Sequence, residues 1–68
     1  MNKYLVTWQV LTLRKTYSGI MEILAPTEEK AMTGVKIKVH STQFIDMIPI
    51  QEIEIAHCQK IKNHYEIK

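Results

Sequence analysis

Cysteine is almost missing from this chain. Cys58 is the single thiol in 68 residues, so no internal disulfide can form, and the small secreted scaffolds held by several bridges are excluded. A reducing, cytoplasmic setting is expected. Glycine is equally scarce: Gly19 and Gly34 are the only two, too few for a phosphate-cradling loop or a dinucleotide fingerprint. Long apolar runs are lacking as well. The N-terminal "YLVTWQVLTL" is broken by Thr7, Gln9 and Thr12, falls well short of the roughly 20 residues a membrane helix needs, and is not followed by a small-residue cleavage site. Nor is there a dense field of one charge. The net charge is +2, with the excess in Lys3, Arg14 and Lys15 against Glu22, while the other six lysines are balanced by six acids. Dedicated nucleic-acid binders are far more basic.

What remains is an ordinary globular composition, 46% hydrophobic and 24% charged, which is too rich in Ile, Val and Leu for a disordered segment. Sixty-eight residues make one small domain, near the size at which a single core supports folding, and a homodimer is open to it.

In "KYLVTWQVL" the even positions Tyr4, Val6, Trp8 and Val10 form one apolar face and Lys3, Thr7 and Gln9 the other, the period of a half-buried strand. After Val10 the apolar phase moves to Leu11 and Leu13, which suggests a bulge or a strand end covered on both faces. A polar loop around "RKTYSG" leads to "GIMEILA", so residues 3–13 and 17–25 are read as an antiparallel hairpin. Pro26 ends the second strand. Thr27 can cap a helix over residues 27–40, with Glu28 and Glu29 at its positive end and Lys36, Lys38 and His40 towards its negative end. Glu28, Ala31, Met32, Val35 and Val39 then share one narrow face and Ile37 points away. The alternative is a Gly34 cap followed by a strand with Val35, Ile37 and Val39 on one face. Residues 41–51 are a connector that tucks apolar side chains against the sheet. "EIEIAHCQKI" is a strand with Ile53 and Ile55 inward, and residues 62–68 are a frayed tail or a short edge strand. The fold class expected is α+β: an antiparallel sheet of three strands, with room for a fourth, and one helix on one face, in the order β-β-α-β.

Candidate chemistry is thin. His40, His57, Cys58 and His64 are good metal-ligand types, but His57 and Cys58 are adjacent on a strand and leave opposite faces. No paired Cys-x-x-Cys or His-x-x-x-His spacing occurs, so no metal or cofactor is expected. A cysteine nucleophile would need a base and an oxyanion cradle. His57 faces away, and so short a chain offers little wall for a water-excluding pocket. Glu52 and Glu54 share a strand face that a solvated surface explains. The chain is therefore read as a non-enzyme.

Two binding readings follow. A small α+β domain can present a face, an edge or a loop to a protein partner, and the residues singled out are Arg14, Lys15 and Tyr17 at the hairpin tip, Lys36 and Ile37 on the helix, and Tyr65. The alternative is a nucleic-acid-binding module in which basic loops hold phosphates and sheet aromatics stack bases. A third reading is a self-associating structural protein that pairs through the edge of its sheet.

A hairpin followed by "APTEEKA", one helix and a last strand "EIEIAHCQKI" resembles, in element order over residues 3–61, many small β-β-α-β proteins. Among those of phages and mobile elements are inhibitors that dock on host defence complexes, notably anti-CRISPR proteins. The resemblance implies a soluble inhibitor that blocks a host nucleic-acid-targeting complex by occupying its surface, and it carries over no functional residue. The element order also resembles some ribosomal proteins, which are far more basic.

Overall fold

The structure is a computed structural model and describes residues 1–61. Three strands form one antiparallel sheet: β1 (Asn2–Leu11), β2 (Thr16–Ala25) and β3 (Glu54–Ile61), in the spatial order β2-β1-β3. One helix, α1 (Glu28–Val39), packs on one face. The fold is α+β in the order β-β-α-β, and segment 35–39 is helical. The tail or fourth strand expected at 62–68 lies outside the described residues.

Alternation sets the two faces of the sheet. On β1, Tyr4, Val6, Trp8 and Val10 point to the helix and are at most 6% exposed. Their cross-strand partners Ile23, Met21, Gly19 and Tyr17 on β2 share that face, with Cys58 and Ile55 from β3. The helix meets this layer with Ala31, Val35 and Val39, all fully buried. Small and β-branched side chains let the helix lie close to the sheet, and each buried Val contributes about 1.5–3 kcal/mol of hydrophobic stabilisation. Met32 is half-buried and Glu28 exposed, so the apolar stripe is narrower than its sequence pattern.

Local signals explain the ends of the helix. Thr27 is extended, and its Oγ1 accepts from Lys30 N–H at 3.2 Å, satisfying one of the free donors of the first turn. At the other end the backbone widens into a π turn, His40–Phe44. Thr42 Oγ1 donates to Lys38 O (2.8 Å) and Ser41 Oγ to the same carbonyl (3.1 Å), taking up an acceptor there. The turn carries Phe44 under the sheet, 2% exposed and edge-on to both Trp8 (6.0 Å between centroids) and Tyr17 (5.1 Å).

Gly19 is dictated by a close approach rather than by a turn. It pairs with Trp8, and a Cβ there would lie 2.6 Å from Trp8 Cζ2. The indole thus occupies the space of the missing side chain.

Four details differ from the sequence reading. β1 carries no bulge at Val10: Leu11 continues the alternation onto the outer face and Leu13 sits in the turn, so both are exposed. The irregularity is in the pairing of β1 with β3, where Thr7 pairs with His57 and Trp8 with Ile55, leaving Ala56 as the extra residue. The hairpin is tighter than expected, with Thr16 already paired to Leu11. Finally, Glu52 belongs to a short 3-10 turn, Ile50–Glu52, and β3 starts at Glu54, although Ile53 is buried as expected. The connector does tuck Phe44, Ile48 and Ile50 against the core.

Candidate functional site

The hairpin turn is clamped by one residue pair. Thr12 N–H donates to Lys15 O (3.0 Å), Thr12 Oγ1 accepts from Lys15 N–H (3.0 Å), and the same hydroxyl lies 2.7 Å from Lys15 O. Leu13 and Arg14 are left at the apex, and Leu13 is wholly exposed. One step into β2, Tyr17 is half-buried on Phe44, and Lys15 Nζ lies 5.2 Å from the centre of its ring, within cation–π range.

The connector after the π turn approaches the same place. Met47 N–H and Ile48 N–H both donate to Phe44 O (3.0 and 3.3 Å), and His40 Nε2 donates to Ile48 O at 2.9 Å. These bonds fold the chain back so that Met47 and Ile48 face the turn. Between the two segments runs an open groove of about 490 Å³. Its apolar lining is Leu13, Tyr17, Met47 and Ile48, and Arg14 and Lys15 supply the only charges among its lining residues. Burial of the aromatic body of Tyr17 with its edge left at the groove is the use to which interface tyrosines are put.

Of the residues singled out in the sequence, the structure brings Arg14, Lys15 and Tyr17 together here. Tyr17 is not simply a surface residue, because its ring also packs on the core. Lys36 is elsewhere: it lines a second groove between α1 and β3, beside Glu29, Glu54 and the apolar Met32, Ile53 and Ile55. Ile37 is 54% exposed on the side of α1 turned away from the sheet. Tyr65 lies outside the described residues. Leu13, Met47 and Ile48 were not singled out. The sequence pattern reads Leu13 as part of a bulge or of a strand end covered on both faces, and no local pattern reports that residues 47–48 fold onto residues 12–17.

The ionisable side chains of the described residues do not converge on one point. Among the described residues no three of His, Cys, Asp and Glu gather as a metal site would require. His57 is exposed on the outer face while Cys58 is half-buried on the inner one. Burial, and after it the Glu28 carboxylate, push the Cys58 thiol up, which disfavours the thiolate a nucleophile needs. Tyr4 and Trp8 lie beneath the helix, 6% and 4% exposed, so they offer no stacking platform on the open side of the sheet. No helix among the described residues is long and apolar enough to cross a membrane.

No protein-family model matches the chain, and no curated protein sequence matches it.

Proposed function

We propose that this domain is a non-enzymatic binding module that docks on a protein partner through the hairpin-tip groove. The observation that carries the reading is the combination of an exposed apolar lining, with Leu13 and Met47 over half exposed, and a cationic rim of Arg14 and Lys15. Such a groove favours an apolar anchor flanked by carboxylates: burial of the anchor supplies affinity, and the rim supplies orientation and on-rate. The narrower form of the reading, a phage-type inhibitor that sterically blocks a host nucleic-acid-targeting complex, is supported by element order alone. It would act by occupancy, with no chemistry of its own.

The experiment is affinity capture from lysate with and without nuclease, run in parallel on the wild-type chain and on Leu13→Ser/Met47→Ser. A discrete protein retained after nuclease by the wild type, and lost by the double variant, supports docking through the groove. Both side chains are exposed, so the variant keeps its fold by circular dichroism. Capture that disappears on nuclease digestion, with affinity falling steeply as salt rises, would instead favour the nucleic-acid reading, in which Arg14 and Lys15 act by releasing counterions.

A further inference from the structure

The two outer strands of the sheet are not equivalent as edges. β3 carries the extra residue Ala56, which interrupts its pairing, and Glu54 and Lys60 place charges of both signs along it. Bulges and charges of this kind are how proteins protect an edge. β2 has neither. Its ten residues contain no proline, no lysine and no irregularity, and Glu22 is the only charge.

The direction of its backbone groups follows from the turn. Thr12 N–H donates a backbone hydrogen bond to Lys15 O, and bonded pairs alternate along an antiparallel ladder. Tyr17, Gly19, Met21 and Ile23 therefore direct their N–H and C=O groups to β1. Those of Thr16, Ser18, Ile20, Glu22 and Leu24 point to the open edge, where no element among the described residues pairs with them.

We infer that β2 pairs with β2 of a second copy of this chain, antiparallel and centred on Ile20, to form one continuous six-stranded sheet. In this register Ile20 faces Ile20 of the other copy, Ser18 faces Glu22, and Thr16 faces Leu24, each twice except at the centre. Every open-edge group from Thr16 to Leu24 finds a partner. The lone carboxylate meets a hydroxyl, whereas a register centred on Glu22 would oppose two carboxylates. On the outer face Ile20, 65% exposed, packs on Ile20 of the other copy and Leu24, 60% exposed, on its Thr16, and on the inner face Tyr17 meets Ile23. An isologous contact of this type closes on itself as a dimer.

The test is sedimentation equilibrium of the full chain without any partner, from low micromolar to several hundred micromolar. The expected mass approaches twice the 8.0 kDa of the chain. Ser18→Glu places two like-charge pairs across the junction and Ser18→Lys two opposite pairs. The first is expected to raise the dissociation constant about tenfold and the second to lower it, with both effects reduced by salt. Ile20→Cys in a Cys58→Ser background is expected to form a covalent dimer on oxidation, because bonded antiparallel pairs hold their Cα atoms about 5.5 Å apart, within disulfide reach. A wild-type chain that stays monomeric throughout overturns the inference. So does a dimer indifferent to both Ser18 substitutions, and neither result bears on the hairpin-tip groove.

Discussion

The two faces of the sheet are built from the same strands and both carry apolar side chains, yet only one of them is covered. On the inner face Tyr4, Val6, Trp8 and Val10 are covered by Ala31, Val35, Val39 and Phe44. On the outer face Leu11, Ile20 and Leu24 remain more than half exposed, and a 3.8 Å contact between Lys3 and Glu22 is the only ion pair among the described residues. Alternation of apolar and polar residues creates two distinguishable faces, but burial, and hence stability, goes to the one on which the helix lands. Among the described residues, no element covers the outer face or pairs with the edge of β2.

Substitutions on the two faces sharpen this contrast, and the largest effect is expected on the inner one. Trp8→Ala removes a side chain that contacts Phe44 and fills the space over Gly19. A loss of about 3–5 kcal/mol is expected, comparable to the whole stability of a domain this small. Chemical denaturation should find the variant largely unfolded at 25 °C, and a folded variant with a cooperative transition would show that the indole is dispensable.

Gly19→Ala approaches the same contact from the other strand. Its Cβ would fall 2.6 Å from the indole, and displacing a packed ring costs about 1–3 kcal/mol. Gly34→Ala is the control. There the Cβ would meet only the flexible tip of Ile23, at 2.7 Å, and the helix gains up to about 1 kcal/mol of propensity. The midpoint of denaturation should fall for the first variant and stay level or rise for the second.

On the outer face, Leu24→Thr is expected to change stability by no more than about 0.5 kcal/mol, because it loses little burial and keeps a strand-forming residue. A larger loss would mean that this face is covered in solution.

The smallest effect is one of pH. The folded state holds the Cys58 proton to higher pH than the unfolded chain does. Folding stability contributed by this group is therefore complete below the ordinary thiol value of about 8.5 and declines as pH rises through it. Urea titrations at pH 7.5 and pH 10 should show a decline that Cys58→Ala reduces, and alkylation of the native thiol should be slow at neutral pH.

Much of the fold was legible because local periods and caps agree with it. The even positions of β1, the stop at Pro26, the Thr27 cap and the acidic first turn each correspond to a feature of the structure. The strand alternative for residues 35–40 fails because Val35 and Val39, four residues apart, both reach the core while Ile37 does not. What was misread lies where pairing outranks pattern. The shift to Leu11 and Leu13 is a tight turn and not a bulge, and the bulge at Ala56 depends on how β3 meets β1, which no run of residues within β3 declares. In the candidate site, Arg14, Lys15 and Tyr17 stood out by type and position. Leu13, Met47 and Ile48 did not, because an apolar residue announces a groove only once its neighbours are known.

By itself, then, the sequence determined the elements, their order and the two chemistries of each strand, because side-chain alternation and helix capping act over a few residues. Tertiary structure alone decided which face is covered, that the connector meets the hairpin tip, and that β2 is a smooth edge while β3 is a broken one. Each of these depends on contacts between segments far apart in the chain, where the free energy lies in packing and pairing rather than in local preference.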